Sequence, residues 1–70
     1  MMKISARNVI KGTVKSINRG PVSAEIVISV AKGLEITSVI TDSAAKELGL
    51  KNGVEVYAVI KASNVMVAID

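Results

Sequence analysis

Apolar and polar residues alternate along much of the chain, which is the pattern of half-buried β-strands. The clearest run covers residues 22–30, where every second residue is apolar and most of the residues between them are polar or charged. The same alternation covers residues 34–41 and residues 54–62. Lys32-Gly33 separates the first two runs, and such a pair favours a turn. The pattern therefore predicts a hairpin of two strands followed later by a third alternating strand.

Two less regular segments extend this β-rich pattern. Residues 4–17 contain irregularly spaced apolar residues, and the internal Gly12 indicates a bulge or a bend in that strand. Residues 65–69 follow the polar break at Ser63-Asn64 and are all apolar, so this strand would have two apolar faces. We expect both segments to be strands, which gives five in all.

One segment departs from the β pattern. Residues 43–48 contain helix-forming residues with apolar positions at helical spacing. Asp42 or Ser43 is predicted to cap the amino end of this helix, and Gly49 to end it. The order β-β-β-α-β-β predicts an all-β fold with one short helix, a five-stranded Greek-key barrel that resembles an OB-fold. We expect a single domain over residues 1–70.

The chain has more apolar surface than one small barrel can bury. Half of its 70 residues are apolar, and 20 of the 70 are Val or Ile. A domain of this size buries only about 60% of the surface that its unfolded chain exposes. Val27, Val39, Met66 and Ala68 lie on the faces opposite the inward sets of their strands. Because a monomer would leave this surface in water, we expect an oligomer.

The composition argues against several classes of function. With no Cys and no His, the chain has neither disulfides nor the usual zinc ligands, and it lacks the motifs of nucleophilic catalysis, so we expect no enzyme. The net charge of +3 comes from scattered Lys and Arg residues, and Tyr57 alone offers an aromatic ring, so we expect no nucleic-acid binding. No segment is apolar enough to span a membrane. Residues 1–5 lack the features of a signal peptide, so we expect a cytoplasmic protein.

Three polar clusters interrupt the aliphatic pattern: Ser5-Ala6-Arg7-Asn8, Thr41-Asp42-Ser43 and Lys61-Ala62-Ser63-Asn64. Each has an ordinary structural explanation as a solvated arginine, a helix cap or a turn. Together they supply what a tetrahedral oxyanion requires, because Arg7 and Lys61 carry positive charge and the Thr and Ser hydroxyls donate hydrogen bonds. Backbone amides at the start of the short helix add donors. The residues alone leave both interpretations open.

These clusters also carry a resemblance to a known family. Ser5-Ala6-Arg7-Asn8, Gly20-Pro21-Val22-Ser23-Ala24-Glu25, residues 40–50 and Val59-Ile60-Lys61-Ala62-Ser63 resemble motifs of the molbindin (Mop) family, in the same order and over the whole chain. Members of this family are relatives of the Mop/TOBE modules in molybdate-responsive regulators and molybdate-transporter ATPases. The resemblance implies a cytoplasmic protein that binds and stores molybdate or tungstate, with no metal cation. It also implies a hexamer built as a trimer of dimers.

The resemblance further implies that oxyanions bind at subunit interfaces. One subunit contributes the first cluster and its neighbour the other two, so the site residues are Ser5, Ala6, Arg7 and Asn8 from one subunit and Thr41, Ser43, Lys61, Ala62 and Ser63 from the other. A second oxyanion site is expected at Gly20, Val22 and Ser23. The family often has Ser where this chain has Ala44. Either the Ser43 hydroxyl or backbone amides near Ala44 would then complete the first site.

Two other functions remain as alternatives. Family members have been described as molybdenum-pterin-binding proteins, which implies a molybdopterin carrier, although the chain lacks aromatic side chains that would stack on a pterin ring. The chain is alternatively a regulatory or interaction module that signals molybdate status. Because its 70 residues include no DNA-reading helix, that function would require a partner chain.

Overall fold

A computed structural model describes residues 4–70 of the chain. Met1, Met2 and Lys3 belong to the predicted domain and lie outside the described residues. The elements follow in this order: strands β1 (Asn8–Arg19), β2 (Ser23–Ala31) and β3 (Leu34–Thr41), helix α1 (Asp42–Glu47), strand β4 (Glu55–Ile60) and a 3-10 turn (Ala62–Asn64).

The four strands form one antiparallel sheet in the order β3-β2-β1-β4. The first half of β1 pairs with β4, where Asn8 faces Ile60, and its second half pairs with β2, where Arg19 faces Ala24. The register of the β1–β2 pair shifts at Lys15, and such an extra residue bends a strand. The sheet curls around its apolar face into a half-barrel, and the predicted all-β, OB-like fold with one short helix is confirmed.

The core lies inside this curl. Its buried residues are contributed by β1, β2, β4 and the helix: Val14, Ala24, Ile26, Ile28, Ala45 and Ala58. Inward residues of β3 and of the segment before β4 pack against them, half-buried. The inward face predicted for residues 22–30 is confirmed at Ala24, Ile26 and Ile28, which are buried, but Val22 precedes β2 and is exposed. The core is small, and much of the remaining aliphatic surface stays in water.

Gly12 occupies β1 for a reason other than a bulge. The register shift falls three residues later, at Lys15. A Cβ atom at Gly12 would lie 2.6 Å from the Ile28 Cγ2 atom and 2.7 Å from the Ser29 carbonyl oxygen. Glycine is needed there because β2 packs directly against the backbone of β1.

The predicted fifth strand is not formed. Residues 65–70 pair with none of the four strands found within residues 4–70. The backbone of Val65 is extended, with φ of −91° and ψ of 119°. Met66, Val67 and Ile69 are 94%, 89% and 93% exposed. The prediction of a strand in the same sheet was therefore wrong, because the chain turns away after β4 and this apolar segment joins neither edge strand.

Candidate oxyanion site

Two of the three predicted clusters meet at one end of the β1–β4 ladder. Asn8 and Ile60 are the last paired residues there, and Arg7 and Lys61 directly adjoin them. The Asn8 side-chain amide donates a hydrogen bond of 3.2 Å to the Ile60 carbonyl oxygen, which ties the two segments together. We call this region the Arg7/Lys61 end; it contains Ser5, Ala6, Arg7, Asn8, Lys61, Ala62 and Ser63.

The cations of the Arg7/Lys61 end lack carboxylate partners. Across residues 4–70, every ion pair involves other cations, and neither Arg7 nor Lys61 takes part in one. Both residues are exposed, as are Ser5 and Ser63. Two positive charges beside one another repel unless an anion lies between or near them. This end of the sheet therefore favours an anionic ligand.

The turn after β4 presents the third cluster to solvent. The Asn64 amide donates to the Lys61 carbonyl oxygen at 2.9 Å, which closes the turn. All three residues of the turn are exposed, and no side chain caps it. The Ser63 hydroxyl is therefore available to a ligand next to Lys61.

The second predicted cluster caps the helix. The Thr41 Oγ1 atom accepts a hydrogen bond of 3.1 Å from the Ala44 amide, so Thr41 is the N-cap. The predicted caps, Asp42 and Ser43, were wrong, because the extended backbone that a cap requires is found at the last residue of β3. Since the cap occupies the Ala44 amide, this amide is not a free donor for a ligand.

The hydroxyl groups of Thr41 and Ser43 form a pair. Their oxygen atoms lie 3.3 Å apart, and both residues are exposed. One hydroxyl donates to the other, which leaves one hydroxyl hydrogen to donate outward. Thr41 and Ser43 together therefore present one outward hydroxyl donor at the start of the helix.

Asp42 neutralises the cations next to this hydroxyl pair. Its Oδ1 atom lies 2.7 Å from the Arg19 Nη1 atom and its Oδ2 atom 3.3 Å from the Lys46 Nζ atom. The hydrogen bond from Arg19 is the main reason that the pKa of Asp42 lies below its ordinary value of 3.8; desolvation opposes it, and weaker interactions with Lys46 add to the lowering. Asp42 therefore stays ionised at neutral pH and keeps both cations partnered.

The predicted second oxyanion site lies beside this ion pair. Ser23 faces Thr41 across the β2–β3 ladder, and the Gly20 amide donates to the Ser23 carbonyl oxygen at 2.7 Å. A surface cavity of about 270 Å³ is lined by Asn18, Arg19, Gly20, Ser23, Glu25 and Val39. Val22, the third predicted residue, is 75% exposed and does not line this cavity.

Four residues that line this cavity were not predicted as site residues: Asn18, Arg19, Glu25 and Val39. Asn18 and Arg19 are the last residues of β1, and the one available signal was their position directly before Gly20-Pro21. Glu25 also lines the cavity and repels anions. We call this region the Arg19/Asp42 end; it contains Arg19, Gly20, Ser23, Thr41, Asp42 and Ser43.

The two ends lie far apart within one chain. Asn8 begins β1 and Arg19 ends it, and the strand between them has 12 residues. At about 3.3 Å per residue, the strand path between the ends is roughly 35 Å. The structure therefore brings Lys61, Ala62 and Ser63 to the cluster of Arg7 in the same chain, and it does not bring Thr41 and Ser43 to either of them.

The part of the chain from residue 4 to residue 70 holds no group of three metal-ligating His, Cys, Asp or Glu side chains. None of its helices is long and apolar enough to cross a membrane.

Comparison with known proteins identifies the family of this chain. Residues 4–67 match the TOBE domain. The chain belongs to the TOBE domain family. Molybdenum-pterin-binding protein 1 of Clostridium pasteurianum is 47% identical over 66 residues, which make up 94% of this chain and 97% of that protein. The resemblance to the molbindin (Mop) group of TOBE domains is thereby confirmed over nearly the whole chain.

Solved structures of this TOBE group share the fold. A molybdate-binding protein from Sporomusa ovata superimposes with a TM-score of 0.90 at 41% identity, covering 97% of this chain and all of that one. The molybdate-bound form of ModG, described as a cytoplasmic molybdate-binding protein, gives a TM-score of 0.88 at 52% identity and covers 93% of this chain and 46% of that one. The OB-like half-barrel is therefore the fold of this group.

Proposed function

We propose that copies of this chain bind molybdate, or tungstate of the same shape and charge, reversibly and without chemical conversion. The observation that carries this proposal is the Arg7/Lys61 end. Two cations adjoin the last pair of the β1–β4 ladder there, and neither has a carboxylate partner in residues 4–70. The names of the relatives support the identity of the anion.

The side chains at this end suit a tetrahedral dianion. A bound oxyanion gives up water, and charge-assisted hydrogen bonds compensate for that loss. Arg7 and Lys61 provide two positive charges, while Ser5 and Ser63 provide hydroxyl donors. Asn8 supports the site indirectly, because its amide holds the Ile60 carbonyl and so fixes the two segments relative to each other. Ala6 and Ala62 contribute backbone only.

The site is completed by a second subunit in this proposal. Thr41 and Ser43 lie at the opposite end of β1, too far from Arg7 of the same chain to touch one small anion. A neighbouring copy that places its Arg19/Asp42 end against the Arg7/Lys61 end would add the hydroxyl pair. The division of residues then differs from that implied by the resemblance, since Lys61, Ala62 and Ser63 act from the same subunit as Arg7.

Association between subunits is supported by the exposed apolar surface. Val22, Val39, Leu48 and the residues around Met66 all face water in the isolated chain, where a continuous apolar patch is unusual for a monomer. We propose the hexamer, a trimer of dimers, that the resemblance implies. In this assembly the second oxyanion site lies at Gly20, Val22 and Ser23, and Arg19 joins it as a further cation.

The cellular role that fits such a site is storage of molybdate in the cytoplasm. The proposed site contains donors and positive charge, with no group that would act as a nucleophile or general base at neutral pH. Selectivity against sulfate depends on the size of the site, because sulfate carries the same charge in a smaller tetrahedron. A rigid interface between subunits can impose that size.

One observation favours a second candidate function, the molybdopterin carrier. Tyr57 is about half-exposed and lines an apolar cavity of about 300 Å³ together with Leu48 and Leu50. A single aromatic ring on an apolar surface would hold one face of a pterin. If the purified protein carried pterin fluorescence in proportion to subunit number, this candidate would replace molybdate storage.

Calorimetric titration tests the proposal. We expect saturable binding of sodium molybdate, and at least tenfold weaker binding of sodium sulfate at the same ionic strength. Native mass spectrometry of the same samples should show an oligomer whose mass rises by whole numbers of molybdate ions. Equal heats for the two anions, or no heat for either, would contradict the proposal.

A further inference from the structure

The turn that leads into β4 contains a chemically labile pair of residues. Lys51, Asn52 and Gly53 are exposed, and the Val54 amide closes the turn with a hydrogen bond of 3.1 Å to the Lys51 carbonyl oxygen. Gly53 has a φ of 91°, and a type II turn requires such a positive φ at its third residue. The Asn52 side chain therefore precedes a glycine nitrogen in a turn that faces water.

An asparagine that precedes glycine is prone to deamidation. In this reaction the backbone nitrogen of the following residue attacks the side-chain carbonyl carbon, and glycine hinders the attack least because it has no side chain and rotates freely. A Cβ atom placed on Gly53 would meet no heavy atom within 4 Å, so this side of the turn is open. The chain has four asparagines, and the other three precede valine or arginine: Asn8, Asn18 and Asn64. Asn52 is thus the asparagine at which the sequence favours this reaction.

The sheet holds the attacking nitrogen in place. The Gly53 amide donates a hydrogen bond of 2.9 Å to the Val14 carbonyl oxygen, and the Val14 amide donates one of 2.9 Å to the Val54 carbonyl oxygen. Val14 is a buried residue of β1, so the turn is anchored to the core of the protein. The Gly53 nitrogen must lose its proton before it attacks, and it is not free to do so while Val14 holds that proton. The pairing with β1 therefore protects a turn whose sequence is labile.

This protecting hydrogen bond lies where β1 changes its partner strand. Thr13 is the last residue of β1 that pairs with β4, and the register of the β1–β2 pair shifts directly after Val14. Among residues 4–70, no backbone hydrogen bond joins Lys51 or Asn52 to β1. Hydrogen bonds at the end of a ladder open more readily than those in its middle. The bond from Gly53 to Val14 is therefore placed to open locally, without unfolding of the sheet.

We propose that Asn52 is a deamidation site and that the hydrogen bond from Gly53 to Val14 controls its rate. When this bond opens, the Gly53 nitrogen gives its proton to hydroxide and forms a bond to the Asn52 Cγ atom. The bond between Cγ and Nδ2 breaks, and Nδ2 takes up a proton from water and leaves as ammonia. Water then opens the resulting succinimide ring at either of its carbonyl carbons, which leaves aspartate or isoaspartate at position 52.

The two products affect the sheet differently. Aspartate leaves the backbone unchanged and adds a negative charge next to Lys51, and an exposed pair of this kind has little effect on stability. Isoaspartate inserts a methylene group into the main chain directly before Gly53. The Gly53 amide then no longer reaches the Val14 carbonyl oxygen in the same register. Conversion to isoaspartate therefore prevents the turn from closing again.

Peptide mapping by mass spectrometry tests the assignment, because deamidation raises the mass of a peptide by about one mass unit. The purified protein is incubated at mildly alkaline pH, folded or unfolded in guanidinium chloride. We expect more conversion at Asn52 than at any other asparagine, and conversion about tenfold or more slower in the folded protein. Asn52→Gln is the control, since its longer side chain would have to form a six-membered ring, and it should show no conversion. Equal rates at Asn52 and the other asparagines, or in folded and unfolded protein, would overturn the proposal.

Two matched variants test whether the hydrogen bond to Val14 controls the rate. Val54→Ala removes packing directly after Gly53, and Val30→Ala makes the same change on β2; both valines are half-buried against the core. We expect Val54→Ala to speed both the conversion of Asn52 and the hydrogen exchange of the Gly53 amide several-fold more than Val30→Ala does. Equal acceleration in the two variants would show that opening of the whole sheet sets the rate and would overturn this control.

The products provide a further test that does not depend on the proposed function. Aged protein that contains isoaspartate should unfold at a lower urea concentration than Asn52→Asp, and equal midpoints would contradict the effect assigned to isoaspartate. At about 3.3 Å per residue, Val14 lies roughly 20 Å along β1 from Asn8 and the Arg7/Lys61 end. We therefore expect Asn52→Asp to keep the molybdate affinity of the wild type. A failure of molybdate binding in wild type and variant alike would count against the proposed function alone.

Discussion

The two ends of β1 carry similar residues in opposite electrostatic states. Each end has an arginine, a nearby lysine and hydroxyl groups. At the Arg19/Asp42 end, Asp42 lies 2.7 Å from Arg19 and 3.3 Å from Lys46, so both cations are partnered within the chain. At the Arg7/Lys61 end the two cations have no carboxylate among the described residues. The same types of residue thus make a closed network at one end and an open site at the other.

This contrast shows why counting basic residues does not locate an anion site. An exposed ion pair contributes little to the stability of the protein, but a cation held in such a pair attracts a free anion less strongly. An unpartnered cation keeps its full attraction for a mobile anion. The distinguishing feature of the proposed site is therefore the absence of a nearby carboxylate, which the sequence does not reveal.

Replacing the arginine at each end, one variant at a time, should give the largest difference in molybdate affinity. Arg7→Ala deletes a charge-assisted hydrogen bond to the anion, so we expect molybdate affinity to fall about 10- to 100-fold, since such a bond contributes roughly 1.5–3 kcal/mol. Arg19→Ala should change the affinity of the first site less than threefold. Titration calorimetry measures both. Similar losses of molybdate affinity in the two variants would contradict the proposed difference between the two ends.

The hydroxyl pair should have a smaller effect on binding. Thr41→Ala removes a neutral donor and also the cap of α1, so we expect molybdate affinity to fall several-fold and stability to fall by about 1 kcal/mol. Thr41→Ser keeps the hydroxyl and should restore both properties in large part. Urea unfolding gives the stability, and calorimetry gives the affinity. Wild-type molybdate affinity in Thr41→Ala would show that Thr41 does not contribute to the site.

Neutralising Asp42 should have the smallest effect and should make the two ends more alike. Asp42→Asn leaves Arg19 and Lys46 without their carboxylate, so we expect weak molybdate binding at the Arg19/Asp42 end to strengthen a few-fold. Calorimetry that compares Arg7→Ala with the double variant Arg7→Ala/Asp42→Asn measures molybdate binding at this end alone. Unchanged weak binding there would show that Asp42 does not restrain these cations.

The lowered pKa of Asp42 predicts that the free energy of unfolding depends on pH. Its pKa is lowered in the folded protein by Arg19 and Lys46, so its contribution is present above the ordinary value of 3.8 and is lost as pH falls through the lowered folded-state value. The difference in urea midpoint between wild type and Asp42→Asn should therefore shrink between neutral pH and a pH well below 3.8. A difference that stays constant would contradict this assignment.

Much of the fold follows from the alternation of residues. The strand predicted over residues 34–41 coincides with β3, and the predicted inward residues of the second strand form the core. The helix was predicted one residue late because its cap is Thr41, the last residue of a strand. Residues 65–69 have a strand pattern without a strand partner. Local pattern predicts a tendency to be extended, but pairing depends on the path that the chain takes after the turn at Ala62–Asn64.

The candidate site residues can be picked out from the sequence, but their arrangement in space cannot. The polar clusters around Arg7, Thr41 and Lys61 stand out from an aliphatic background. Their grouping depends on the register that pairs Asn8 with Ile60, and this long-range pairing is not encoded in local spacing. Arg19 was not predicted as a site residue, because its role depends on a salt bridge to Asp42, which lies 23 positions away in the sequence.

Mixing two defective variants tests most directly the central claim that a site is shared between subunits. Arg7→Ala and Thr41→Ala chains are unfolded together, refolded in equal amounts and titrated with molybdate. If each site takes Arg7 from one subunit and Thr41 from another, about a quarter of the sites in random mixtures regain both residues and bind with wild-type affinity. If both residues act from one chain, no site regains them, and the absence of any high-affinity fraction would contradict the account.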